Sequence, residues 1–477
     1  QECRSSLYIP CYLIIQLLTR NYLTDNIQPG SIALNVRDSL DDSRETCLEE
    51  DLLKNRIIRE NWYPPNCREE PAIEYCTDVS GVTIVYGSAC GKKFFTGYTL
   101  REVSGKIELL PGELNPLFYD QILRNKVPGA NSVLLEPLDH VETAHMEPPG
   151  TGSENFEAIT RSGRKIHVKS YRILNEDNLE PLVLAYLKNQ KANFSPSLIG
   201  YVEFSGYYTH LITGSVEGIP VVSYFIRSAL RTMETGSVFV PEQSQSIGHL
   251  IGRLHRIMAE CSYDWCEPEE VSEDDVSRWV FRVNWRLEQM KNHPDPLVRE
   301  VSVRLTDNIE SITFLGKHSL GDTKMRIHGD PHLYQFILTP TGRIMLLDYE
   351  GEPDRLPATQ NEKEPPIRDL AVIYRSLHYI SVIAHSIQKG LSIKEASLTL
   401  PRIMHEWTSQ VFNVILESYF STAADIVTKQ HLKERVTFWS IERATYEFFY
   451  ESIYNTGLDH IPLSWLEEVA DKITEFT

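Results

Sequence analysis

The sequence predicts an α+β fold with a small strand-rich lobe and a large helical lobe. Three observations carry this. β-Branched and aromatic runs broken by glycine turns crowd residues 72–110 and resume across 156–214. From Val221 onward apolar residues recur with helical spacing almost to the C-terminus. A chain of 477 residues also exceeds what one small core holds, so two or three domains or lobes are expected.

Taken in order, residues 1–60 read as helical, closing with "EEDLLKNRIIRENW" before the break at Pro64-Pro65. Residues 61–140 form a strand-rich subdomain, with turns expected at the SG, GS, CG, TG and SG dipeptides of its 72–110 stretch. The loop-rich run "LDHVETAHMEPPGTGSENF" places a boundary near residue 140. Residues 141–220 follow as an N-lobe, with a hairpin at Ser162-Gly163 in "FEAITRSGRKIHVKSYRIL" and a helix in "DNLEPLVLAYLKNQ". A strand pair in "SLIGYVEFSGYYTHLITGSVEG" completes it. Residues 221–477 form the helical C-lobe, interrupted by strand-like pieces around Ile327 and Met345.

The net charge of −19 argues against binding to nucleic acid or an anionic membrane, because phosphates would be repelled. The eight cysteines make no CxxC pair, and "CSYDWC" lacks a second half with zinc-ligand spacing. They read as reduced, buried thiols of a cytoplasmic protein. The apolar run Leu7–Leu18 is shorter than the roughly 20 residues a spanning helix needs, and without a basic n-region or a small-residue cleavage site it is not expected to be a signal peptide. It reads as a buried or partner-contacting helix.

The chemistry concentrates in "MRIHGDPHLYQF", followed by a turn and the apolar strand "RIMLLDYEG". Asp330 and Gln335 lie five residues apart, the separation of the aspartate and asparagine in the catalytic loop of protein kinases. An aspartate there accepts the proton of the attacking hydroxyl, and an amide oxygen five residues later helps to hold magnesium. Asp348 ends the strand, where a carboxylate bridges magnesium to nucleotide phosphates. The acidic Glu350 follows two residues on and suits sugar hydroxyls or a further cation.

A kinase also needs a cation for the phosphates. Lys169 ends "KIHVK", whose alternation buries Ile166 and Val168 and leaves the ammonium at the mouth of a cleft. Glu180 is the candidate partner carboxylate, at the start of the next helix before Pro181. Gly150 and Gly152 in "PPGTGSENF" are candidates for a phosphate-covering loop with exposed backbone N–H groups.

Together "RIHGDPHLYQFIL", "LLDYEGEP", "PIRDLAVIYRSLHY" and "ERATYEFFYESIYNTGLDHIPLSWL" resemble the maltokinases, sugar kinases of the aminoglycoside-phosphotransferase-like branch of the protein-kinase fold. The similarity spans about residues 60–470 and is most specific in the second half. It implies a bilobal protein-kinase-like fold with an N-terminal cap subdomain. It further implies ATP- and Mg2+-dependent phosphorylation of maltose at its anomeric hydroxyl. By the same resemblance Asp330 is the base, Gln335 and Asp348 are metal ligands, and Lys169 is the nucleotide lysine. His328 and His332 line the catalytic loop, and Arg368-Asp369 braces it. Glu442, Tyr446, Glu447 and Tyr450 share much of one helical face and would form a sugar pocket with His332 and Glu350.

Three departures bear on the acceptor. Tyr334 replaces the family's glycine, Arg443 replaces its lysine, and its helix glutamate falls on Leu182. An aminosugar or aminoglycoside-like kinase is therefore the alternative acceptor class, with Glu350, Glu352 and Glu447 as carboxylates for an amine. A pseudokinase-like regulatory module, docked to a trehalose- or glucan-metabolising enzyme, is the alternative outside catalysis.

Overall fold

The computed structural model describes residues 47–64, 67–103, 106–147, 153–352 and 361–476. The run Leu7–Leu18 and the rest of the expected helical stretch up to residue 46 lie outside them. The chain divides into two compact units. A helical unit holds Gly218–Leu347 and Glu362–Thr477, and a strand-rich unit holds the described residues up to Glu217 together with Asp348–Asn361.

In the strand-rich unit, helix α1 (Glu50–Ile57) precedes an antiparallel sheet of β1 (Ala72–Val79), β2 (Val82–Ala89), β3 (Lys92–Val103) and β4 (Lys106–Pro111). Ser80-Gly81 and Cys90-Gly91 turn its first two hairpins with φ of 55° and 78°, then 49° and 74°. Paired positive φ values are what two-residue hairpins require, so these expected turns are met. Gly87-Ser88 and Thr96-Gly97, also expected to be turns, lie instead inside β2 and β3. Gly87 is a packing residue, since a Cβ there would come within 2.1 Å of the Ala72 carbonyl. Leu53 and Ile57 of α1 pack with Trp62, Tyr63, Val85, Phe94 and Tyr98 in one apolar cluster.

The second sheet of this unit contains β5 (Ala130–Leu134), β6 (Val141–Met146), β7 (Ser153–Thr160), β8 (Lys165–Tyr171), β10 (Leu198–Phe204) and β11 (Tyr207–Gly214). Their order is β5-β10-β11-β8-β7-β6. The short β9 (Ile173–Leu174) pairs with β3 in the first sheet. Helix α2 (Pro116–Ile122) lies between β4 and β5 in sequence, and α3 (Glu180–Asn189) between β9 and β10. The hairpin at Ser162-Gly163 and the helix expected in "DNLEPLVLAYLKNQ" are both present.

The cysteines correct the sequence reading. Three disulfides join Cys47 to Cys76, Cys67 to Cys90, and Cys261 to Cys266. The first two tie the chain around α1 to β1 and to the β2–β3 turn. They close loops of 29 and 23 residues, each stabilising by about 3–4 kcal/mol in the chain-entropy account. Of the three, only Cys261–Cys266 is a close pair in sequence, in "CSYDWC"; the other two join residues 29 and 23 positions apart, brought together by the β1–β2–β3 ribbon.

The helical unit contains α4 (Val222–Thr235), α5 (Gln243–Ala259), α6 (Glu273–Met290), α7 (Pro296–Asp307) and α8 (Ile309–Lys317). It continues through α9 (Ile367–Lys389), α10 (Ile393–Leu398), α11 (Arg402–Ala423), α12 (Leu432–Ile453) and α13 (His460–Lys472). Gly248 and Gly252 let α5 lie against α11, since a Cβ at Gly248 would sit 2.2 Å from the Ile415 carbonyl. Trp279 of α6 packs on Trp439 of α12 with ring centroids 4.7 Å apart. Among the described residues, α9 alone is long and apolar enough to cross a membrane, and 72% of its apolar window is buried within the protein.

The helical unit also carries a small sheet of β12 (Ile219–Pro220), β15 (Phe336–Leu338) and β16 (Ile344–Leu346), and a ribbon of β13 (Glu269–Glu270) with β14 (Thr323–Lys324). The strand expected around Met345 is therefore present. Ile327 lies in irregular chain instead, where the next residue, His328, gives its backbone N–H to the Asp369 side chain.

Candidate active site

In the helical unit the segment His328–Gln335 is shaped by the first turn of α9. Asp369 is fully buried and accepts the His328 and Gly329 N–H groups at 3.0 and 2.9 Å. Its other partner is His255, at 3.0 Å. Burial works against the Asp369 carboxylate, but the His255 hydrogen bond and the nearby ring charges outweigh it and hold its pKa below the ordinary value. Arg368 donates to the Gly329 carbonyl at 2.8 Å. Gly329 itself has φ of 88°, a left-handed conformation that a residue with a Cβ resists. Arg368-Asp369 thus holds the peptides on both sides of Gly329, the bracing expected from the sequence.

Past this clamp the loop presents Asp330, His332 and Gln335. Asp330 receives Arg443 Nη2 at 2.7 Å. Gln335 Nε2 lies 3.3 Å from His332 Nε2. The Gln335 carbonyl accepts the Leu347 N–H at 2.9 Å, which links the loop to the end of β16. Tyr334 stays exposed beside them.

Helix α12 brings the other predicted residues of this unit together, but not in the same role. Glu442 is fully buried, with Arg282 and Arg286 each at 2.8 Å and Arg368 at 3.4 Å. It leaves no surface for a ligand, which corrects its place in the expected sugar pocket. Arg282 and Arg286 are four residues apart on α6 and converge on it, a spacing that the sequence does display. Glu447 accepts from Arg443 at 3.1 Å and from Arg375 at 3.0 Å. The Tyr446 and Tyr450 rings stack at 6.1 Å, and Tyr446 also lies over the Arg443 guanidinium.

In the strand-rich unit Lys169 is buried on β8. Its ammonium lies 2.9 Å from Glu180, 2.6 Å from Asp348 and 3.1 Å from Glu350. The lysine–glutamate pair is formed despite the shifted helix glutamate. Tyr171 Oη donates to Glu180 at 2.7 Å, and the Tyr349 N–H donates to its other oxygen at 3.0 Å. Burial disfavours the charged lysine, but the three carboxylates overcome it and push its pKa well above the usual value. Burial, aided by Asp348 and Glu180, raises Glu350 to about 8 against the pull of Lys169. Asp348 has φ of 63°, an uncommon state for a residue with a Cβ and one concentrated at functional sites.

Glu180, Asp348 and Glu350 bring carboxylate oxygens within 4.8 Å of one another, a hard-oxygen donor set that suits a divalent cation. Gly150 and Gly152 lie outside the described residues, between β6 and β7 in sequence.

Sequence reasoning missed what fixes β8 from its other face. Ser170 and Arg172 meet the fully buried Glu113, Ser170 at 2.8 Å and Arg172 through two bonds of 2.8 and 2.9 Å. His210 of β11 adds a contact at 3.2 Å, and Glu154 of β7 accepts from Arg172 at 2.7 Å. Adjacent strand residues point to opposite faces, so this network anchors the strand that presents Lys169.

No family model matches the sequence. Among solved structures, a glucosamine kinase in crystal form B is similar with a TM-score of 0.64 at 12% identity, covering 87% of this chain and 99% of that one. A glucosamine kinase in complex with glucosamine, ADP and inorganic phosphate gives 0.61 at 13% identity, with coverage of 87% and 98%. At such identities the likeness establishes the fold alone: a strand-rich N-terminal region and a helical C-terminal part, as in these structures.

Proposed function

We propose that the protein is an ATP- and Mg2+-dependent sugar kinase that transfers the γ-phosphate of ATP to a sugar hydroxyl, with maltose and its anomeric oxygen as the leading acceptor. The observation that carries the reading is the Lys169 ammonium fixed by Glu180 beside Asp348, within a fold shared with kinases. In such a fold the lysine steadies the nucleotide phosphates and the glutamate steadies the lysine. The maltose assignment rests on the sequence motifs around Asp330, Asp348 and Glu442.

The roles follow from the chemistry of each group. Asp330 takes the acceptor's hydroxyl proton as the oxygen attacks phosphorus and ADP leaves. Arg443 engages its Oδ1, so we assign proton acceptance to Oδ2. Asp348 and Gln335 offer oxygen ligands for Mg2+, and Glu350 is a further carboxylate beside Asp348. Bound magnesium would supply charge neutralisation at the phosphates. His332 orients the Gln335 amide, and Tyr450 offers a ring to a sugar. Tyr446 is buried between Tyr450 and the Arg443 guanidinium, which corrects its place in the expected pocket. Residues 61–140 would serve as the cap subdomain and Gly150 and Gly152 as part of the phosphate-covering loop.

A second reading takes glucosamine as acceptor, favoured by the glucosamine-bound kinase among the similar structures. The three disulfides support folding in an oxidising compartment and weigh against the cytoplasmic site expected from the sequence.

The test is ADP release from ATP and magnesium with maltose, glucose, glucosamine, trehalose or no sugar. Strong stimulation by maltose, with phosphate on its anomeric oxygen, is expected. Stimulation by glucosamine alone would replace the acceptor and keep the reaction.

A further inference from the structure

Taking the site as that of a sugar kinase, we infer that Glu447 and Arg375 are positioning residues that act through Arg443 to set the Asp330 carboxylate. The side chains form one line of contacts within the helical unit. Arg443 Nη2 donates to Asp330 Oδ1 at 2.7 Å, and Arg443 Nε donates to Glu447 Oε1 at 3.1 Å. The other Glu447 oxygen accepts Arg375 Nε at 3.0 Å and lies 2.9 Å from its Nη2.

Each contact supplies a restraint that the others lack. The last torsion of an aspartate is broad, so an Asp330 that takes a proton through Oδ2 needs Oδ1 held. One contact from a long arginine does not hold it, because that side chain has rotatable bonds of its own. Arg443 is fixed at two edges of its planar guanidinium, with Nη2 on the base and Nε on Glu447. Residues 443 and 447 are four apart on α12, the spacing that brings two side chains together on one face. The Tyr446 ring lies 5.0 Å from the guanidinium and limits its tilt.

The far end of the line is the firmest. Arg375 on α9 is fully buried, and its guanidinium lies 4.7 Å from the Trp465 ring centroid. Glu447 is buried with both oxygens engaged by arginines, so it braces the site where the sequence had it meeting the sugar. Helix α9 already holds the loop backbone at two places. Asp369 takes the Gly329 N–H, and Ser376 Oγ accepts the Leu333 N–H at 3.0 Å. Arg375, next to Ser376, extends that hold from the backbone of the loop to the side chain of its base. Hydrogen bonds between charged partners are roughly twice as strong as neutral ones, and the arginine fork adds direction to distance.

The experiment measures kcat, and KM for ATP and for the best acceptor of the sugar panel, in the wild type, Glu447→Gln, Arg443→Lys and the double variant. Lysine keeps the charge but offers one nitrogen, so it cannot hold Asp330 and Glu447 with separate edges of a fork. Each single substitution is expected to lower kcat by about tenfold or more, the cost of a misplaced group, with both KM values within about twofold of wild type. The double variant is expected to be within about twofold of Arg443→Lys, because Glu447 then has no fork left to steady. Losses that multiply in the double variant overturn the inference, since Glu447 would then act independently of Arg443. A raised sugar KM at unchanged kcat in Glu447→Gln also overturns it, being the mark of a sugar ligand. Absence of wild-type turnover with every sugar removes the kinase reading itself and the inference with it. If Glu447→Gln does not fold, Glu447→Asp, which keeps the charge and shortens its reach, takes its place in the same comparison.

Discussion

Lys169 on β8 donates to Glu180, the first residue of α3, at 2.9 Å with both side chains almost wholly buried. A strand and a helix from separate stretches of sequence are thereby locked at the residue proposed to hold the nucleotide. Glu180 is fixed in turn by Tyr171 and by the backbone of Tyr349. The lysine is thus placed before any ligand arrives.

Glu180→Gln should loosen that placement while preserving side-chain size. The expected result is an ATP KM raised about tenfold, equivalent to about 1.4 kcal/mol, with the acceptor KM nearly unchanged. Equal effects on both constants would detach Glu180 from the nucleotide side.

Glu442→Gln tests whether this residue braces the fold or binds sugar. Removing its charge leaves Arg282, Arg286 and Arg368 without their shared carboxylate, and about 3–5 kcal/mol of stability should be lost. Urea unfolding measures it. An unchanged midpoint with a raised sugar KM would restore the pocket role.

The local patterns were legible in the sequence, and the long-range ones were not. Asp330, Gln335 and Asp348 stood out because loop spacing and an apolar strand fall within one short stretch. Lys169 stood out through strand alternation, and Ser80-Gly81 and Cys90-Gly91 through turn chemistry. The partner of Lys169 was uncertain because Glu180 precedes a proline, yet that first-turn position carries the carboxylate to the strand. Glu442 was misplaced because its arginines come from α6 and α9. The Glu113–Arg172–His210 network, which joins Glu113 to residues 59 and 97 positions away, left no local mark.

Glu451 makes a pH prediction. Burial raises its folded-state pKa to about 7, above an unfolded value of about 4.3. Between those values the folded state binds more protons, so stability falls as pH rises through that window and this contribution is flat above it. Glu451→Gln should remove the loss. Unfolding of both proteins at about pH 5 and about pH 8 should show the variant gaining about 1–3 kcal/mol relative to wild type at the higher pH. The same difference at both values would contradict the shift.

The disulfides predict that Cys47, Cys67, Cys76, Cys90, Cys261 and Cys266 resist alkylation in the unreduced, unfolded protein and react after reduction. Peptide mass spectrometry reads this directly. Alkylation of Cys67 and Cys90 without reductant would return the protein to the reduced state inferred from the sequence.

The proposed chemistry turns on Asp330, so the most direct measurement is sugar-dependent ADP release by the wild type and by Asp330→Asn. The amide keeps the shape of the loop but cannot take the hydroxyl proton. The expected result is a fall of at least about a hundredfold in turnover, the lower range for removing a general base, with ATP binding retained. Turnover by Asp330→Asn close to wild type would contradict the account, because the acceptor would then be activated by some other group.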